Sequence, residues 1–232
     1  MSAPIRLLAL TAGLSTPSST RMLADQLARE SAAALGRGGA EVEVSTVELR
    51  EYAHDLTDAL LTRFPSERLA MVIEQVRAAD AVIAVTPVFN VGPSGLFKMF
   101  FDALDMELWR GKPVLLGATA GSARHSLAID YAIRPMFGYL KAEVVPTSVF
   151  AASSDFGADG DGQADEQPLI ARVRRAAGEL ALMVRAGLGE GAVPTGGEET
   201  AGEAQEPSDD DGAGLDPEFS DFVPMDTLLR RS

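Results

Sequence analysis

Between residues 5 and 150 the chain alternates short apolar runs with longer stretches whose apolar residues recur at helical spacing. The runs are 5–11, 42–47, 81–86, 113–119 and 144–150. They are rich in β-branched and aliphatic residues, and three are almost continuously apolar, as strands covered on both faces must be. The run 42–47 brings in polar Ser45 and Thr46, which suits an edge strand. Leu23, Leu27, Ala34 and Leu35 follow the first run, and Leu69, Val72, Ile73 and Val76 precede the third. Leu96, Met99, Phe100 and Leu104 follow the third, Leu127, Tyr131 and Phe137 the fourth, and Ile170, Val173, Leu180 and Val184 the fifth. These stretches have helical spacing. Strands alternating with helices predict an α/β domain built on a parallel sheet with helices on both faces.

Five such units within residues 1–187 suit a flavodoxin-like five-stranded sheet of order 2-1-3-4-5. Its ligand crevice would open at the carboxyl ends of strands 1, 3 and 4. Beyond residue 187 the alternation stops. Residues 188–232 hold 12 acidic and 2 basic side chains, so most of the net charge of −14 belongs there. Residues 188–215, rich in Gly, Glu, Asp and Ala, predict an acidic flexible linker. Residues 216–232 regain apolar side chains (Phe219, Phe222, Val223, Met225, Leu228 and Leu229) and predict a docking segment or a disordered tail.

Composition narrows the chemistry. An acidic chain is a poor partner for nucleic acid or an anionic membrane, because phosphate binding needs clustered Lys and Arg. No apolar run reaches the ~18 residues of a membrane span, and the start lacks the basic region of a signal peptide, so a cytoplasmic protein is expected. The absence of cysteine excludes disulfides, thiolate chemistry and Cys-held metals. Two histidines, His54 and His125, leave little for a His-based metal site. The run from Asp155 to Asp165 fails as a calcium loop, since Ala164 and Ile170 stand where Gly and Glu are required. No GxSxG elbow supports a hydrolase.

The loops after strands 1, 3 and 4 therefore carry the argument. The first holds six hydroxyl residues between 11 and 20: Thr11, Ser15, Thr16, Ser18, Ser19 and Thr20. Helix capping accounts for one or two of them; six at a strand-to-helix junction suit a phosphate, held by backbone N–H groups, hydroxyls and the helix dipole. The loop is neither GxGxxG nor GxxxxGK[ST], which disfavours a dinucleotide fold and a P-loop NTPase. The second loop has two prolines and two glycines, Pro87, Gly92, Pro93 and Gly95, and predicts an irregular backbone beside a flat ligand or simply a turn. Lys98 follows it, either as an anion partner or as an ordinary surface lysine. The third, 119–125, combines small residues with Arg124 and His125, and Gly121 permits close backbone approach.

These blocks resemble one family. Gly13 with Pro17-Ser18-Ser19-Thr20, Thr86-Pro87-Val88-Phe89 with Gly95-Leu96-Phe97-Lys98, and the run from Ala120 through Arg134-Pro135 look like the NAD(P)H-dependent FMN reductases. The third block is closest to the reductases of two-component alkanesulfonate and luciferase-like monooxygenase systems. The resemblance implies that Ser15, Ser18, Ser19 and Thr20 hold the FMN phosphate. It implies that Pro87, Val88, Phe89 and Asn90 line the isoalloxazine and ribityl, and that Thr119, Ala120, Gly121 and Ser122 meet the pyrimidine side. It sets Tyr131 near a subunit interface and the flavin. Hydride would pass from nicotinamide C4 to flavin N5 with no catalytic side chain, and reduced flavin would go to a partner monooxygenase. An FMN-dependent azo- or quinone reductase and a non-catalytic flavodoxin-like carrier are the alternatives. Phe89 stands where tyrosine is common, and Leu14 where many relatives have serine. Arg21, Arg110 and Arg124 are the candidate cations for the pyridine nucleotide. A homo-oligomer is also expected, because Phe97, Met99, Phe100, Phe101, Leu104, Met106, Leu108 and Trp109 exceed what one buried stripe requires. Its interface would include that helix and the one bearing Tyr131.

Overall fold

The computed structural model describes residues 3–156 and 168–189; the linker and end segment expected over 188–232 lie outside them, apart from Leu188 and Gly189, as does most of the 155–165 acidic run. In chain order the elements are β1 (Ile5–Thr11), α1 (Ser19–Gly36), β2 (Val42–Glu48), α2 (Ala53–Thr62), α3 (Glu67–Ala78), β3 (Ala81–Phe89), β4 (Gly92–Pro93), α4 (Gly95–Ala103), β5 (Pro113–Ala120), α5 (Arg134–Tyr139), β6 (Glu143–Val144), β7 (Val149–Ala152) and α6 (Leu169–Gly189). The sheet runs β2-β1-β3-β5, with β6 and β7 both lying parallel to β5. This is the expected flavodoxin-like order, with two additions.

The first addition is the split of the fifth strand. Pro146 has no N–H to give a ladder, and the chain leaves β5 between Val144 and Val149. Side chains then satisfy the interruption. Arg134 donates to Val145 O at 3.1 Å, Pro146 O at 3.0 Å and Ser148 Oγ at 2.6 Å. From α6, Glu179 accepts from Thr147 N at 2.8 Å and Thr147 Oγ1 at 2.7 Å. The second addition is β4, which turns back on the end of β3 with Val88 opposite Pro93 and Phe89 opposite Gly92. Pro93 is tolerated because β4 is only two residues long and peripheral.

Residue alternation along the strands divides the core in two. Leu8, Leu10, Val82, Ala84, Leu116 and Ala118 face one way, against α2, α3, α4 and α5. Leu7, Ala9, Ile83, Val85 and Leu115 face the other, against α1 and α6. Near-continuous apolar runs thus mark strands with a helical layer on each side. β2 is the exposed edge, as its polar residues predict.

The expected surplus of apolar surface on α4 is absent, which removes that argument for an oligomer. Phe97, Phe100, Phe101, Leu104, Leu108 and Trp109 are all buried within this chain. Phe101 packs 4.7 Å from Phe97, 4.7 Å from Trp109 and 4.8 Å from Phe137 by ring centroids. Aromatic rings fill space from several directions at once, so one helix face and Phe137 of α5 suffice to cover them. Leu127 and Tyr131, placed on a helical face by spacing, are exposed instead. The buried face is Ile129, Ile133 and Phe137, four residues apart, with a turn of π-helix over Ile129–Ile133, and Tyr131, six residues from Phe137, lies off it.

Burial alone would raise the pKa of Glu179, but hydrogen bonds from Thr147 and Arg175, with the arginine's charge, together bring it below the ordinary carboxylate value. A depressed folded-state pKa contributes stability that is present above the unfolded value, about 4.3 for Glu, and is lost as pH falls through the folded value. Glu179→Gln should therefore lower the melting temperature at pH 7. The two melting curves should converge below about pH 4, and a gap that stays constant down to pH 3 would contradict this assignment.

Candidate functional site

The three loops meet at the carboxyl ends of β1, β3 and β5, which are hydrogen-bonded neighbours in the sheet. The first loop leads into α1, whose N-cap is Ser18: its Oγ accepts from Arg21 N at 3.2 Å. The amino end of an 18-residue helix, with its unpaired N–H groups and positive dipole end, thus faces the crevice. Gly13 is required sterically. A Cβ there would lie 2.1 Å from Ser18 Oγ and 3.2 Å from Thr20 Cβ. Leu14, Ser15, Thr16, Pro17 and Ser19 are exposed around the turn.

The hydroxyls do not all serve alike. Thr20 is buried, and its Oγ1 lies 2.8 Å from Oγ1 of buried Thr119, a hydrogen bond that ties α1 to β5 and leaves one of the two O–H groups to donate elsewhere. Thr11 Oγ1 is buried at the end of β1 with no hydrogen-bond partner among the described residues. Ser15 and Ser19 are the hydroxyls left free at the rim, and Ser18 adds its cap position. Arg21, a candidate for the nucleotide, is already engaged by Asp25 at 2.8 Å and Glu48 at 2.6 Å. The hydrogen bond to Asp25, reinforced by Glu48, raises its pKa above the ordinary arginine value.

The second loop is tighter than its prolines and glycines predict. Asn90 and Val91, at φ 51° and 68°, form the two-residue turn between β3 and β4, while Gly92 and Gly95 carry no left-handed φ. Two consecutive positive φ values are the geometry of a type I′ hairpin, common for Asn and strained for a β-branched valine. Ser94 locks the turn to α4: its N–H donates to Thr86 Oγ1 at 3.0 Å, and its Oγ accepts from Phe97 N at 3.2 Å. The turn presents Phe89 and Val91 to the surface, while Val88 is a core residue. Lys98 pairs with Asp102 at 2.6 Å, one turn along α4, as a surface lysine does.

The third loop is open. Every residue from Gly121 to Leu127 is exposed, and a Cβ on Gly121 would meet nothing within 4 Å. Ala120 is half-buried at the strand end, Ser122 precedes a short 3-10 turn, and Arg124 and His125 lie on that turn. Tyr131 follows, 78% exposed. Arg110 is ruled out as a neighbour of this site: it precedes β5 at the opposite end of the sheet and pairs with Glu107 at 2.8 Å. A cavity of about 690 Å³ also lies elsewhere, between β2 and α3, lined by Arg6, Glu43, Val44, Met71 and Glu74, and includes none of the loop residues.

Residues 5–157 match the NADPH-dependent FMN reductase family, spanning β1 through β7 and all three loops. The chain belongs to that family. It is an oxidoreductase, and FMN and a reduced pyridine nucleotide are the ligands of FMN reductases. Among relatives, the NADH-dependent FMN reductase SfnF of Pseudomonas fluorescens is 34% identical over 177 residues, covering 76% of this chain and 90% of that protein. The FMN reductase (NADPH) of Pseudomonas aeruginosa is 31% identical over 177 residues, covering 76% and 91%. A solved oxidoreductase structure from Corynebacterium diphtheriae is 44% identical, with a TM-score of 0.73, covering 80% of this chain and 99% of that one. Among the described residues no helix is long and apolar enough to cross a membrane, and no acid or histidine cluster could hold a metal.

Sequence reading of this reductase did not find Arg50, which reaches the first loop from the turn after β2, or the pairing of Thr20 with Thr119. Only the hydroxyl of Thr119, in an otherwise apolar strand, hinted at the latter. For Gly13→Ala, the added methyl should displace the Ser18 hydroxyl and remove the α1 cap, a loss of about 1 kcal/mol or more. Chemical denaturation should record it, and wild-type stability would show that the loop yields without cost.

Proposed function

We propose that this chain reduces FMN with NAD(P)H at the crevice formed by the three loops and passes the reduced flavin to a partner flavin-dependent monooxygenase. One observation carries the reading: the amino end of α1, with free hydroxyls at Ser15 and Ser19, stands beside two loops that offer exposed backbone and one exposed aromatic, Phe89. When bound, FMN supplies the redox chemistry, accepting hydride from the nicotinamide. The chain's part is to bind and orient. Ser15, Ser18 and Ser19, with N–H groups of the first helical turn, hold the phosphate. Thr20 contributes its backbone and, with Thr119 as the donor of their shared hydrogen bond, its own O–H as well. Pro87, Phe89 and Asn90 flank the ring and ribityl, with Val88 beneath them, and 119–122 approach from the other side. No side chain needs to move a proton in hydride transfer, which agrees with a crevice whose titratable neighbours are Arg124 and His125, exposed on a turn, and Arg21 and Arg50, both held in ion pairs.

The open third loop, with Leu127 and Tyr131 projecting beside it, supports a homo-oligomer in which a second copy covers this side. This reading confines the chemistry to residues 1–187 and sets it in the cytoplasm, where reduced pyridine nucleotide is regenerated.

Steady-state turnover with NADPH and NADH against FMN, FAD, a quinone and an azo dye tests the activity. FMN should be the best acceptor, whereas an organic acceptor outpacing it would favour the azo- or quinone reductase. For the site, Ser15→Ala/Ser19→Ala should weaken FMN by at least about tenfold, since hydrogen bonds to a charged group contribute about 1.5–3 kcal/mol each. Riboflavin, which lacks the phosphate, should bind the double variant as it binds the wild type. Unchanged FMN titration would remove the phosphate from this loop.

A further inference from the structure

We propose that Arg50 is a positioning residue that sets the 13–19 loop for the phosphomonoester of FMN, with Glu48 as its anchor. The inference rests on the reading of that loop as the phosphate site.

The loop has little of its own to hold its shape. Residues 14–17 are exposed, and no backbone–backbone hydrogen bond among the described residues involves 13–17. Restraint arrives from the turn after β2. Arg50 Nη1 donates to Thr16 Oγ1 at 2.5 Å and to Ser15 O at 3.3 Å. Its Nη2 pairs with Glu48 Oε2 at 2.8 Å. The other oxygen of the same carboxylate takes Arg21 Nη1 of α1 at 2.6 Å. Glu48 therefore joins both sides of the loop: α1 through Arg21, and the loop's crest through Arg50. The turn that carries Arg50 is itself fixed, because Leu49 is fully buried in the core and Glu48 is paired in register with Thr11 at the end of β1.

The guanidinium is suited to this task by shape. Its planar fork directs one nitrogen at the loop and the other at the carboxylate simultaneously, whereas the three N–H donors of a lysine ammonium radiate from one atom with no fixed plane to set their directions. A phosphate must find its N–H and hydroxyl donors already arranged, or binding must bear the entropy of ordering the loop. Removing the brace should therefore act on phosphate recognition and leave hydride transfer intact.

The test compares FMN with riboflavin, binding each to the full chain by fluorescence titration, with a flavin-free thermal melt to verify folding. Wild type should prefer FMN. Arg50→Ala should raise the FMN Kd tenfold or more, keep the riboflavin Kd within twofold, and keep kcat at saturating FMN. Arg50→Lys should recover only part of the loss. Thr16→Val, which leaves the Arg50–Glu48 pair in place and removes the loop end of the contact, should show the same selectivity on a smaller scale. An FMN Kd unchanged in both Arg50→Ala and Thr16→Val, an equal weakening of FMN and riboflavin, or full recovery with lysine would each overturn the proposal. If wild type binds riboflavin as tightly as FMN, the phosphate reading itself fails, and this inference with it.

Discussion

How closely α1 can approach the centre of the sheet governs the rest of the molecule. The helix packs across β1, β3 and β5, and the position beneath it on β5 is Gly117. A Cβ at Gly117 would lie 3.1 Å from Leu27 Cδ1 and 3.1 Å from Val85 Cγ2, tighter than ordinary side-chain contact. The missing methyl lets Leu27 settle onto the sheet. The Thr20–Thr119 hydrogen bond then fixes the helix's first turn to the end of β5. Together these contacts bring the amino end of α1, and so the first loop, against the loops that follow β3 and β5. A displaced helix would carry its N–H groups away from the crevice even if every loop residue were retained.

Given that approach, the two half-cores do different work. The side holding α1 and α6 is lined by small and branched aliphatic residues, which permit close layers. The other side is filled by the Phe97, Phe101, Trp109 and Phe137 rings, a thicker layer under α4 and α5. A strained turn such as Val91 at positive φ persists only where its surroundings hold it. Here Ser94, bonded to both Thr86 and the start of α4, does so. The tight parts of the site rest on the packed core, and the open part is the third loop.

The legible features were those expressed locally. Near-continuous apolar runs located β1, β3 and β5, polar intrusions marked β2 as the edge, and their alternation with helical spacing gave the strand order. The hydroxyl-rich loop also stood out by composition. Features that depend on distant partners did not. Arg50 and Thr16 are 34 residues apart, and Thr20 and Thr119 are 99 apart. Beyond the hydroxyl of Thr119 in an apolar strand, nothing in either neighbourhood announces such a pairing. The split of the fifth strand is written in the run itself, where Pro146 is followed by polar Thr147 and Ser148. The apolar excess of α4 was read as surface, since counting residues on a helix does not reveal that Phe137 closes over them. Around Tyr131 two apolar sets compete, and the one with the regular spacing of four, Ile129, Ile133 and Phe137, is the buried face.

Charge illustrates how far a global quantity can stand from a local site. The chain is strongly acidic, yet the proposed anion site needs no excess of cations. Backbone N–H groups at the start of α1 supply a fixed positive field, and surface charges more than about 8 Å away are largely screened at physiological ionic strength. Around the loop, Arg21 and Arg50 are balanced by Glu48 and Asp25. The guanidiniums are therefore best understood as struts rather than as free countercharges. A site arranged in this way discriminates by geometry. As proposed, it would hold a phosphomonoester whose oxygens meet donors already in place, with no free cation among Arg21 and Arg50 to attract polyanions. Hydride transfer makes the same demand, because its rate depends on how two rings are held and asks nothing of a proton-carrying side chain.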